Sequence, residues 1–226
     1  MKKLLALLPL IGAFALCGCG GEKEGGEGQG EKLPYTEEQV RSNVKNLGET
    51  EGYEITCEIF ASGMDKKQSY TVGCKGNFFW YSIEESKMLF EQLEESLQMY
   101  TYNEESHVYE KGMTVPASMQ DTYQKMFDSY GNFMYVALEY QETGEFTKVK
   151  ETTFLGRAAT EYKCKYEVVG YGKGEYQLIV DKALGITLKW SGSAEDYKNN
   201  ESGSGTYEVK SFKTGAEVSV PEHPAA

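Results

Sequence analysis

The chain has 226 residues, with 35 acidic against 23 basic side chains and a formal net charge of −12. That balance gives no electrostatic hold on nucleic acid, where Lys and Arg must neutralise phosphates, and none on anionic lipid headgroups. It has two histidines, His107 and His223, and no HExxH, CxxC or GxSxG. Zinc, dithiol and serine-nucleophile chemistry therefore lack their motifs, and no metal or other cofactor is expected.

Lys2 and Lys3 precede an apolar run from Leu4 to Leu16, broken only by Pro9 and Gly12. Basic, apolar, then small residues is the order of a secretory signal. The run is too short for a membrane span, which takes about 20 residues. Leu16-Cys17-Gly18-Cys19 resembles the lipobox of bacterial lipoprotein signals, in which a small residue precedes the acylated cysteine. Cys17 follows Leu16, a poor fit, so cleavage is expected after residue 18, with fatty acyl chains such as palmitate on the protein at Cys19. At about 0.8 kcal/mol per buried CH₂, that lipid would supply the membrane attachment that charge does not. It would place the protein in the cell envelope, on the outer face of the cell membrane or on an outer membrane.

Residues 20–33, GGEKEGGEGQGEKL, hold almost nothing to bury, so 19–34 is expected to be a flexible, self-repelling tether. Residues 35–221 suit one domain, with 222–226 a tail. Within it, Tyr35 to Gly48 has Thr36 placed to cap a helix, and Val40, Val44 and Leu47 at helical spacing. The period then changes to two. Tyr53, Ile55, Cys57, Ile59 and Ala61 alternate with mostly polar residues, and a turn at Asp65-Lys66 leads back through Tyr70, Val72 and Cys74. That register sets Cys57 opposite Cys74 on one face, with Cα atoms about 4.5 Å apart. This approaches disulfide geometry in an oxidising compartment; two reduced, buried thiols are the alternative, and Cys164 is left over as a core thiol. Further strands are expected at 77–83, 87–92, 97–102 and 107–111. Glu84-Glu85, Glu94-Glu95 and Glu104-Glu105 mark the turns between them, as solvated carboxylates rather than an acid–base or calcium site.

From Pro116 to Tyr140, Met119, Tyr123, Met126, Phe127, Tyr130, Phe133, Met134 and Ala137 recur every three or four residues, the spacing of an amphipathic helix. Strands resume after Glu145. Tyr162, Cys164, Tyr166 and Val168 share one face. Gly170 to Gly174 is read as a hairpin turn rather than a phosphate loop, because a strand and not a helix follows. Centring that hairpin on Gly172 pairs Tyr166 with Leu178; centring the next on Ala183 pairs Leu178 with Leu188 and Tyr176 with Trp190. Residues 192–205 read as a long mobile loop, and 206–212 as the last strand.

Leu178 to Lys189, with its Asp181-Lys182-x-x-Gly185 turn, and Thr206 to Gly215 resemble the strand–turn–strand and closing strand of the LolA-like fold of bacterial lipoprotein carriers. Thr153-Phe154-Leu155-Gly156-Arg157 through Tyr162 resembles a strand pair of the same fold. The resemblance implies an α+β architecture: a curved antiparallel sheet, an incomplete barrel, with helices covering its concave face and an apolar space between. No carrier residue transfers individually.

On that layout, Met119, Tyr123, Met126, Phe127, Tyr130 and Met134 are expected to face Trp80, Met99, Tyr166, Leu178 and Trp190 across a pocket of about 300–1,000 Å³. The expected function is a non-catalytic, membrane-anchored lipoprotein binding a lipid-like amphiphile. The alternative is a well-packed interaction or sensor module with a protein partner. An envelope hydrolase using acidic residues ranks last.

Overall fold

The computed structural model describes residues 32–116, 118–119 and 131–224. The signal region, Cys17 and Cys19 lie outside the described residues, as do Tyr123, Met126, Phe127 and Tyr130 of the expected pocket.

The first described helix, α1 (Glu37–Thr50), begins as its sequence predicts. Thr36 accepts from the Gln39 backbone, and the Gln39 side chain accepts from Thr36 N. This reciprocal cap contributes about 0.5–2 kcal/mol. Val40 and Val44 are its buried stripe.

Eleven strands follow: β1 (Tyr53–Ala61), β2 (Gln68–Lys75), β3 (Phe78–Ile83), β4 (Ser86–Gln92), β5 (Ser96–Asn103), β6 (Val108–Pro116), β7 (Gly144–Phe154), β8 (Arg157–Val168), β9 (Gly172–Asp181), β10 (Thr187–Asp196) and β11 (Glu201–Thr214). They form one antiparallel sheet in the order β6-β5-β4-β3-β2-β1-β11-β10-β9-β8-β7. Two meanders are thus joined where the first strand pairs the last. The sheet does not close, because β6 and β7 are its two edges. Both edge pairings carry a register shift, and β7 presents Lys148 and Lys150, two devices that blunt edge-to-edge addition.

The expected α+β balance is corrected to a mostly β one. Among the described residues, the expected second helix is represented by Ser118 and Met119, which are helical, a 3₁₀ turn (Asn132–Tyr135) and the four-residue α2 (Val136–Glu139). Residues 117 and 120–130 of that stretch lie outside the described residues; at its end Phe133, Met134, Val136, Ala137 and Leu138 are all buried. Met119 departs from its expected inward place and is 46% exposed.

Alternation assigned the faces of β1, β2 and β8 correctly and their hairpin registers incorrectly. Cys57 pairs with Tyr70, and Cys74 with Tyr53, so the expected Cys57–Cys74 neighbours lie four residues apart along the ladder. All three described cysteines are free thiols. Parity explains the error: a slip of four preserves every side chain's face, so an alternating pattern cannot detect it. The turn is wider than expected and involves Gly63 at φ +89° and a Met64 N to Ala61 O bond. The β8–β9 hairpin is likewise shifted by four, with Tyr162 opposite Leu178. The β9–β10 hairpin is shifted by two, with Trp190 opposite Leu178.

Residues 192–205 are also corrected, from a long loop to the ends of β10 and β11 joined by a turn at 197–200. Their small side chains are a packing requirement. A Cβ on Gly192 would lie 2.2 Å from Cδ1 of Tyr176, so bulky rings on one strand require glycine on the next.

The sheet has cores on both faces. On one face, Tyr53, Ile55, Cys57, Val72, Phe79 and Phe90 pack with α1, Phe133 and Met134. A second cluster beside it joins Tyr140, Phe146, Tyr162, Tyr166, Tyr176 and Leu178. The opposite face buries Trp80, Leu89, Tyr100 and Tyr109 beneath Val218. The chain end beyond β11 therefore packs back: Lys75 Nζ donates to Val218 O at 2.6 Å, and His223 lies 4.9 Å from the Phe78 ring and 5.1 Å from that of Tyr100.

Candidate ligand-binding slot

The segment 131–140 is fixed from both sides. Ala137 N donates to Thr187 Oγ1 at 3.1 Å, within the buried interface with β10. The end of the tether is pinned beside it: Lys32 Nζ donates to Gln141 O at 2.7 Å, Gln141 Nε2 donates to Tyr35 O at 2.9 Å, and Leu33 is buried at 4% exposure. The sequence around Leu33 reads as tether, yet its leucine joins the cluster with Tyr140 and Phe146.

Between this segment and the sheet lies an apolar slot of about 50 Å³, whose walls include Ile59, Phe133, Val136, Tyr140, Trp190 and Tyr207. Register places Trp190 between Leu178 on β9 and Tyr207 on β11. Rings continue from there: Tyr176 stacks on Trp190 at 5.3 Å, Tyr140 lies 4.7 Å from Tyr176, and Phe133 lies 5.3 Å from Tyr207. Burial pushes the Tyr207 phenol far above its ordinary range, so its hydroxyl is a neutral donor and acceptor.

Two polar atoms in this wall are unsatisfied. Trp190 Nε1 and Tyr207 Oη are buried with no hydrogen-bond partner among the described residues. Such groups are rare in folded proteins, and each costs about 1–3 kcal/mol. Glu139 also lines the slot. Its side chain keeps contact with solvent, yet the surrounding protein desolvates it and the Glu37 carboxylate adds repulsion, which together push its carboxyl up to about 7.

Of the pocket residues expected from sequence and described here, Met134, Met99, Tyr166, Leu178 and Trp190 belong to the helix-bearing face. Only Trp190 among them lines the slot. Trp80 does not belong there. It sits 3% exposed in the opposite core, with Nε1 donating to Glu54 Oε2 at 3.3 Å. Four of the residues expected to line a pocket of about 300–1,000 Å³ lie outside the described residues, and what the described residues enclose on this face is the slot of about 50 Å³. A larger depression of about 830 Å³ is polar and open. It is bounded by the cross-strand ion pairs Lys165–Glu175 at 2.7 Å and Lys173–Glu195 at 3.2 Å. Glu139 and Tyr207 were missed by sequence reasoning; Tyr207 was legible as an inward position of the closing strand, Glu139 was not. Among the described residues, no three His, Cys, Asp or Glu side chains converge in the manner of a metal site.

No family model matches the sequence, and no curated protein matches it. Solved structures that match this chain in a structural comparison include the complex of MucA and MucB from Pseudomonas aeruginosa, at 12% identity over 82% of this chain and 57% of that one, TM-score 0.35. They also include a DUF1329 family protein from Desulfovibrio piger, at 9% identity over 80% and 92%, TM-score 0.29. A LolA superfamily protein from Nitrosomonas europaea matches at 10% identity over 77% and 93%, TM-score 0.25. The LolA superfamily that the strand–turn–strand motifs resemble is thus among the matches. This chain spans little more than half the length of the MucB chain it matches. At these TM-scores the likeness carries no argument about ligands or partners.

Proposed function

We propose that this chain is a non-catalytic envelope lipoprotein, anchored through lipid on Cys19, that binds the apolar part of an amphiphilic ligand in the slot beneath residues 132–139. The observation that carries the reading is the slot itself: an aromatic wall containing two unsatisfied polar atoms, roofed by two short turns of helix. The roof is the part of the core easiest to move. It has one turn of 3₁₀ and one of α-helix, and neither has a side-chain cap. Its displacement would widen 50 Å³ towards a ligand-sized space. Twelve residues separate Cys19 from Lys32; a flexible chain of that length would reach about 20 Å, and Lys32 itself is fixed next to the roof.

Metabolic labelling with palmitate tests the anchor: label is lost in Cys19→Ala and kept in Cys17→Ala. Titration of a fluorescent fatty-acyl probe tests the slot: wild type binds, and Ala194→Trp, which fills the slot wall, does not.

The filled core favours one second reading, a well-packed module that binds a protein partner on its surface. It predicts no probe binding by either form.

A further inference from the structure

We infer that the slot selects amphiphiles carrying an uncharged hydrogen-bond acceptor, such as an ester or amide carbonyl, through Trp190 and Tyr207, and rejects free carboxylates. This rests on the amphiphile reading above and specifies the chemistry of its ligand.

The register sets Trp190 directly opposite Tyr207, so the two unsatisfied groups come from one cross-strand pair in the slot wall. Tyr207 is 2% exposed, so bulk water does not solvate it. An indole N–H only donates, and a phenol in a desolvated site stays protonated and also donates. Each of these donors lacks an acceptor, and a carbonyl oxygen, a stronger acceptor than an ether oxygen, is the uncharged group that serves them best. An alkyl chain alone would leave both donors unsatisfied. A carboxylate also supplies acceptors, but it would bring a negative charge into a slot whose described lining residues include no cation and include Glu139. Burying a charge without a partner is far more costly than burying a neutral ester.

The test uses the full lipidated chain on nanodiscs, with calorimetric titration at pH 8 of three probes sharing a ten-carbon chain: 1-decanoylglycerol (ester), 1-O-decylglycerol (ether, no carbonyl) and decanoate. Empty nanodiscs are the reference. The ester is expected to bind at least tenfold more tightly than the ether or decanoate. Trp190→Phe and Tyr207→Phe should each shrink the ester–ether difference, and Glu139→Gln should improve decanoate binding alone. Equal binding of ester and ether by wild type overturns the carbonyl assignment while leaving the amphiphile reading intact. An ester preference unchanged in both Phe variants overturns the assignment to these two residues. Binding of none of the three overturns the amphiphile reading itself.

Discussion

Arg157 donates through Nε to Asp181 Oδ2 at 2.6 Å and ties the start of β8 to the β9–β10 turn. Asp181 is 1% exposed, and its other oxygen accepts from Ala183 N at 2.9 Å and Leu184 N at 2.8 Å. The buried carboxylate therefore has its acceptor sites filled, while the Arg157 guanidinium lies 4.2 Å over the Phe212 ring of β11. Gly185 completes the turn at φ +77°, where an added Cβ would come within 2.6 Å of Val40 on α1. Asp181→Ala should lower the unfolding free energy by about 3 kcal/mol, since it leaves a partly buried guanidinium and two turn amides without a partner. Urea denaturation reads this as a lower midpoint at unchanged slope. A change below about 1 kcal/mol would mean the turn holds without the pair.

The thiols should remain free and slow to react. Cys57 and Cys164 are fully buried, and burial pushes the Cys164 thiol up to about 12 and the Cys74 thiol up to about 11. Only the thiolate attacks an alkylating reagent. The native protein at pH 7.5 should label at Cys74 first and slowly, and at all three positions once unfolded. Recovery of a Cys57–Cys74 peptide pair under non-reducing digestion would contradict the β1–β2 register.

Glu139 predicts a specific pH dependence. Its carboxyl is raised from an ordinary 4.5 to about 7, so the folded state binds the proton more tightly than the unfolded state does. The folded state therefore loses relative stability as pH rises from about 4.5 towards about 7, and the loss levels off above that. Comparing melting temperatures of wild type and Glu139→Gln between pH 4 and 8.5 isolates this contribution. The gap should widen in favour of the variant up to about pH 7 and then stay constant. A gap independent of pH would show that the Glu139 carboxyl titrates alike in the folded and unfolded states.

Tyr207→Phe should stabilise the ligand-free protein by about 1 kcal/mol. The phenol is buried without a partner, and deleting its oxygen removes a desolvation cost without removing a hydrogen bond. Chemical denaturation measures it. A destabilising result would mean that the hydroxyl has a partner in solution, such as an ordered water.

Much of the fold was legible because alternation is a local signal. Tyr53-x-Ile55-x-Cys57-x-Ile59 requires a half-buried strand whatever its neighbours are, and Thr36 with Gln39 specifies a helix start. Registers were not legible. The same inward set at Tyr162, Cys164 and Tyr166 fits partners two or four residues away equally well, and turn geometry decides. Trp80 was misplaced because β3 buries both faces: Phe79, Tyr81 and Ile83 face one core, and Phe78 and Trp80 the other. An FFWY run has no polar face to orient it. The cover for that face comes from Val218, and from His223 against Phe78 and Tyr100, more than a hundred residues away. The 192–205 stretch reads as loop because glycine and serine are turn residues in isolation. Its strand character depends on Tyr176 and Trp190, whose rings fill the space that side chains would need. The slot was half legible: Trp190 and Tyr207 fall on inward positions, but their lack of polar partners is a property of the packed structure alone.

The central claim, that the slot takes an amphiphile, is tested most directly by native mass spectrometry of the full chain released from nanodiscs after incubation with envelope lipid extract. Wild type should retain a bound species of lipid mass at stoichiometry about one, and the slot-filling Ala194→Trp form, its folded state verified by circular dichroism at the working temperature, should release as the bare lipidated protein. Wild type and Ala194→Trp both emerging without bound lipid would contradict the claim and leave the protein-binding module as the reading that remains.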